Sequence, residues 1–136
     1  MTDCIFCKII KDEIPSYKVY EDKYVVAFLD IAPVNPGHVL VVPREHVDSF
    51  EDLDEVLLDA VMNAVQKIAP AVKKAVGASG YNLIVNNGTD AGQVINHFHI
   101  HIIPRKADDG LEYFPQKKYE EKEAESVMKK IKTALE

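Results

Sequence analysis

The stretch NHFHIHIIP, residues 96–104, decides how this chain is read. It alternates three of the five histidines with large apolar residues and stops at a proline. In a strand, successive side chains point to opposite faces. His97, His99 and His101 then line one face, and Phe98, Ile100 and Ile102 the other. The apolar face can anchor in a core and leave three imidazoles side by side.

Three roles compete for that row. As structural residues, three neutral rings each need a hydrogen-bond partner, and three charged rings repel. As metal ligands, a His-x-His pair can hold zinc with further ligands from elsewhere. As catalysts, one imidazole attacks while a neighbour holds or donates a proton. Just upstream lies NNGTDAGQ, residues 86–93. Backbone N–H groups in such polar, glycine-containing loops can hold phosphate oxygens, although a plain turn reads the same way. Placed directly before the histidines, the loop suggests phosphate presented to an imidazole.

Outward from this stretch, the pattern is α+β. Residues 4–11 suggest a short helix. YKVYE (17–21) and YVVAFL (24–29) read as two strands with a tight turn at Asp22-Lys23. Asp30 opens a loop with two prolines and a glycine, and HVLVVPR alternates into a third strand that Pro43 ends or confines to an edge. Leu53, Val56, Leu57, Val61, Val65, Ile68, Val72 and Val76 recur at helical spacing. Asp52 reads as the N-cap, with Glu55 three residues on and Gly77 as the stop. Pro70 inside this run is expected to kink or split the helix. YNLIVNN and HFHIHIIP supply strands four and five. The charged tail from about Tyr119 carries a sparse stripe, Val127, Ile131 and Leu135, and reads as a helix. The expected fold is a mostly antiparallel five-stranded sheet with one long helix.

At 136 residues the chain is expected to be one domain, 1–136, with its core over 4–105 and the tail helix over about 119–136. A net charge of −6 argues against non-specific nucleic-acid binding, which needs a basic face. No apolar run approaches the roughly 18 residues of a membrane span, and MTDCIFCKIIKDE lacks a leader's apolar core. With only Cys4 and Cys7, a reducing cytoplasm is the expected location.

The row His97-Phe-His99-Ile-His101-Ile-Ile resembles the signature of the histidine triad (HIT) family. CIFCKII, FLDIAPVNPGHVLVVPREH and NNGTDAGQVINHFHIHIIPR resemble the hint branch of that family, in order and at matching separations over residues 4–105. The resemblance implies a nucleotide-binding α+β fold and a homodimer in which two five-stranded sheets join. It implies hydrolysis of purine nucleoside phosphoramidates and related adenylates, with His99 attacking the α-phosphorus and His101 assisting at the phosphate and leaving group. Relatives of a transferase branch carry glutamine in place of that third histidine. It further implies a base pocket of Ile5, Phe6, Ile9, Phe28 and Ile31, a ribose contact at Asp30, and phosphate contacts from Asn86, Gly92, Gln93 and the Val94 backbone. Close relatives can carry serine at position 94, whose hydroxyl this chain lacks. His38 falls behind the triad. A phosphoramidate nitrogen leaves only when protonated, and two adjacent imidazoles can divide attack and proton donation. Two alternatives accompany this reading: hydrolysis of dinucleoside polyphosphates, and a nucleotide-binding regulatory module with incidental hydrolysis.

Cys4-Ile-Phe-Cys7 has the spacing of half a zinc site, of a redox pair, or of two small apolar residues. The redox reading lacks its flanking βαβ pattern. A zinc site needs two further ligands, and His46 and His97 can supply them. The resemblance implies zinc at these four positions, a structural role that leaves His99 free to attack.

Overall fold

Two apolar runs, VVAFL and VLVVP, become the inner strands β2 (Val25–Leu29) and β3 (Val39–Pro43). The structure, a computed structural model, describes residues 3–136. β1 (Lys18–Glu21), β4 (Gly80–Ile84) and β5 (Ile100–Arg105) complete a sheet of order β1-β2-β3-β5-β4. Every neighbouring pair is antiparallel. β2 and β3 are buried on both faces, which is why they read as continuous apolar runs rather than alternating ones. Pro43 ends β3 and does not put it at an edge, since β3 is the middle strand. Asp22 closes the β1–β2 turn by accepting from the Tyr24 and Val25 N–H groups, both at 2.8 Å.

One face carries α2 (Glu55–Val76), whose Val61, Ala64, Val65, Ile68 and Ala69 pack on Val25, Ala27, Val39, Val41, Phe98, Ile100 and Ile102. Its N-cap is Asp54, which accepts from the Leu57 N–H, and not Asp52. Asp52 instead closes a 3-10 turn over Phe50–Asp52 in a capping box with Ser49. Two acidic residues stand two apart, and the nearer one takes the helix. Pro70 does not split α2. It lies on the exposed face with Gln66, whose carbonyl is the one that loses its helical donor. Val56 is 56% exposed and lies off the apolar stripe. Gly77 stops the helix in the left-handed conformation, as expected.

The opposite face is covered by α1 (Ile5–Ile10), whose Phe6 and Ile9 pack on Val26, Phe28, Leu40 and Val42. α3 (Glu123–Leu135) begins some residues after the expected start, and its Ile131 and Leu135 are exposed. Among the described residues no helix is long and apolar enough to cross a membrane.

Candidate active site

The histidine row keeps its alternation but not its ladder. β5 starts at Ile100, so His97, at the end of a bend, and His99 both precede the strand and only His101 is within it. Phe98, Ile100 and Ile102 are at most 2% exposed, anchored beneath α2. Segment 97–99 is held instead by point contacts. Phe98 N–H donates to the Val47 carbonyl, and the His97 ring and its carbonyl make the rest.

Backbone groups fix the tautomer of each ring. His99 Nδ1–H donates to the His97 carbonyl at 2.7 Å, which puts the lone pair on Nε2. His38 Nδ1 accepts from the Val34 N–H at 3.1 Å, so the His38 proton sits on Nε2. That Nε2–H donates to His101 Nδ1 at 2.9 Å, so the His101 proton sits on its own Nε2. His101 Nε2 is, among the described residues, the buried side-chain polar atom with no partner. A second proton on this pair has no place. On His38 it would oppose the Val34 N–H, and on His101 Nδ1 it would oppose His38. Burial, then His99 and His38 beside it, pull His101 down to about 4. Burial also lowers His38 and His99. All three rings are neutral at pH 7.

Gly37 lets the loop deliver His38. Its φ is +96°, and a Cβ there would stand 2.8 Å from Val76 Cγ1 at the end of α2. Gly92, also at φ +96°, turns the chain after the 3-10 turn of Thr89–Ala91.

A cavity of about 400 Å³ opens beside these rings. Ile5, Phe6, Ile9, Phe28, Asp30, Ile31, Asn86, Gly92, Val94, His99 and His101 line it, all positions singled out from sequence. Ile14, Pro15, Ser16, Leu29, Leu40 and Ile95 also line it and were missed. Leu40 was within reach, because it pairs opposite Phe28 and shares its face. Gln93 is not part of the wall. Its amide donates to the Asp48 and Ile95 carbonyls and accepts from the Gly88 N–H, bracing the loop from behind. Val94 is 90% exposed at the rim. Asp30 Oδ1 accepts from the Ala32 N–H, and Oδ2 stands 3.8 Å from His38 Nε2, outside hydrogen-bond range.

Cys4, Cys7, His46 and His97 meet at the other end of α1, with donor atoms all within 4.8 Å of one another. The His97 Nδ1 lies 3.4 Å from Cys4 Sγ and 3.6 Å from Cys7 Sγ, and His46 Nδ1 lies 3.4 Å from Cys7 Sγ. Both rings give their Nε2–H away, His97 to the Pro43 carbonyl at 2.9 Å and His46 to Asp48 at 3.1 Å. Their Nδ1 lone pairs are thereby aimed at the sulfurs, an arrangement typical of metal-ligating histidines. Burial and the neighbouring Cys4 push the Cys7 thiol up, a cost that a bound cation removes by favouring thiolate. Two sulfurs and two imidazoles fit tetrahedral zinc. Asp30, His38 and His101 form a second cluster of potential ligands, and it does not fit. Metal on His38 Nε2 would drive the proton to Nδ1, against the Val34 N–H. The first cluster has a donor set that fits a metal, and the second does not.

A family model described as the HIT domain matches residues 11–108. The chain belongs to the HIT family. A HIT-like protein of Methanocaldococcus jannaschii is 51% identical over 107 residues, covering 79% of this chain and 82% of its own. The adenosine 5'-monophosphoramidase of Schizosaccharomyces pombe is 42% identical over 106 residues, covering 78% and 77%. The adenylylsulfatase HINT3 of Arabidopsis thaliana is 47% identical over 109 residues, covering 80% of this chain and 55% of that protein. Among solved structures, SMU.412c of Streptococcus mutans superposes with a TM-score of 0.93 at 40% identity, over all of this chain and 87% of its own. A zinc-bound histidine triad protein of Mycobacterium smegmatis superposes at 0.77 with 29% identity, over 98% of each chain. The five-stranded antiparallel sheet with its helices is thus the HIT fold, as expected from the sequence.

Proposed function

We propose that this HIT chain hydrolyses purine nucleoside phosphoramidates, or related adenylates, through a nucleotidyl-histidine intermediate on His99. The observation that carries the reading is the tautomer of His99, whose Nδ1–H is held by the His97 carbonyl while the ring lines the cavity with Nε2 unengaged. The relatives named for adenosine monophosphoramidase and adenylylsulfatase activity support adenylates as the substrate class. The base lies among Ile5, Phe6, Ile9, Phe28 and Ile31, Asp30 Oδ2 accepts from the ribose hydroxyls, and Asn86 with the Gly92–Val94 backbone borders the phosphate.

His99 Nε2 donates its lone pair to phosphorus, and the P–N bond breaks onto a nitrogen protonated from solvent. Water then attacks phosphorus, the N–P pair returns to His99, and a proton goes to bulk water. His101 serves as a neutral hydrogen-bond donor, because its pair with His38 has no place for an extra proton. This differs from dividing attack and proton donation between two imidazoles. It also explains how glutamine can stand at this place in related transferases, since an amide accepts from His38 and donates to phosphate as well. His101→Gln is therefore expected to keep kcat within about tenfold of the parent, and His101→Ala to lose about 10²-fold, the size of one lost donor to a transition-state oxyanion. An acid role would instead leave both variants equally impaired.

The test of the function is a kinetic panel of adenosine phosphoramidate, its guanosine counterpart, adenylyl sulfate and dinucleoside polyphosphates. A kcat/KM highest for the phosphoramidates supports the reading. Preference for the polyphosphates, or tight binding without turnover, overturns it.

Cys4, Cys7, His46 and His97 are proposed to hold structural zinc. Protein purified reduced and without chelator is expected to carry about one zinc per chain, and chelation is expected to lower its melting temperature, because binding to the native state alone is linked to stability. Metal analysis that finds none removes the site.

A homodimer is proposed as well. β4 is an edge strand with Tyr81 and Leu83 exposed, and an unpaired edge is a surface for another strand. Light scattering is expected to give twice the 15.3 kDa chain mass, and a monomer at micromolar concentration contradicts this.

A further inference from the structure

His97 belongs to two sites at once. Its ring faces Cys4 and Cys7, while its carbonyl takes the Nδ1–H that sets the His99 tautomer. The chain between them has no ladder partner, since pairing with β3 begins only at Ile100. Apart from the Phe98 N–H bond to the Val47 carbonyl, its placement depends on its side-chain anchors. α1 is shared in the same way. Cys4 caps it, taking the Cys7 N–H at 3.4 Å, and Phe6 sits between the two cysteines. The Phe6 ring packs edge-on against both His97 and His99, at 5.9 and 5.0 Å, and lines the nucleotide cavity. Drawing Cys4, Cys7, His46 and His97 onto one centre therefore fixes α1 and segment 97–99 against each other. Those are the base wall and the nucleophile.

We infer that the Cys4–Cys7–His46–His97 cluster is a positioning device for the nucleotide site, so that metal binding and nucleotide binding strengthen each other. This rests on the nucleotide reading given above. Coupling of this kind is reciprocal, so the factor by which metal improves nucleotide affinity is the factor by which nucleotide improves metal affinity. A cluster that only stapled the fold would leave the nucleotide affinity of folded, metal-free protein unchanged. The coupling is expected to be about tenfold, within the roughly 5–150-fold common for linked sites.

The experiment titrates AMP calorimetrically into zinc-loaded and into chelated, reduced full-length protein. AMP binding about tenfold weaker in the metal-free form supports the inference, and equal affinity of the two folded forms overturns it. Where circular dichroism shows that chelation unfolds the chain, cadmium-loaded protein decides. Its cadmium NMR resonance is expected to move when AMP saturates the site, because Cys4, Cys7 and His97 ride on the elements that AMP touches. A resonance that stays in place under saturating AMP overturns the inference. Failure of zinc-loaded protein to bind AMP at all overturns the nucleotide reading and the coupling together, whereas equal affinities remove the coupling alone.

Discussion

His99→Ala is expected to bind AMP and to turn over phosphoramidate about 10³–10⁴-fold more slowly than the parent, a barrier increase of about 4–6 kcal/mol. The loss is large because the side chain removed forms the bond to phosphorus. Binding survives because the apolar wall and Asp30 remain. Rapid quenching of the parent protein with phosphorus-labelled substrate is expected to trap an acid-labile, base-stable adduct on His99. The pH profile carries a second signature. Attack needs the neutral ring, and burial lowers His99. The free protein therefore keeps its nucleophile as pH falls through the ordinary imidazole value near 6.5, and the acid limb of kcat/KM is expected below that value. A His99→Ala variant with near-normal kcat, or label on another residue, removes the histidine nucleophile from the mechanism.

Phe98→Ala tests the other face of the same stretch. Phe98 is 2% exposed and packs in the cluster beneath α2 with Ile100, Ile102 and Val65. Truncating a buried phenylalanine removes its transfer free energy and leaves a cavity, together worth about 3–5 kcal/mol. That is a large share of the roughly 5–15 kcal/mol that holds a domain folded. The urea midpoint is expected to drop while the slope of the transition stays constant. A loss under about 1 kcal/mol would mean that the apolar face does not anchor the histidines in the core.

Alternation along residues 97–102 was readable because Phe98, Ile100 and Ile102 pack in the cluster beneath α2, which leaves the histidines to the other side. α2 was readable for the same reason, through its periodic stripe. What sequence could not supply depends on backbone groups. The Pro43 and His97 carbonyls and the Val34 N–H set the tautomers, and any residue type presents such groups. Position alone makes them matter, so no pattern in the sequence says which nitrogen of each ring holds its proton. The N-cap shifted from Asp52 to Asp54 because both are competent caps and Ser49 claims the first. Gln93 lies beside the cavity in sequence yet faces Asp48, since the turn at Gly92 directs its amide inward. The placement of His97 and His99 before the strand went unread because the residue pattern does not show where pairing with β3 begins.

The cluster of Cys4, Cys7, His46 and His97 joins residues separated by as many as 93 positions. Closing loops of that length is entropically unfavourable, and nothing repays the closure until the strands between have paired. α2 and the β1–β2 turn can form from local contacts alone. On refolding, helix content and closure of this cluster are therefore expected at different moments. The helix is expected to form early, and the contact of Cys4 and Cys7 with His97 to close only after the sheet has paired.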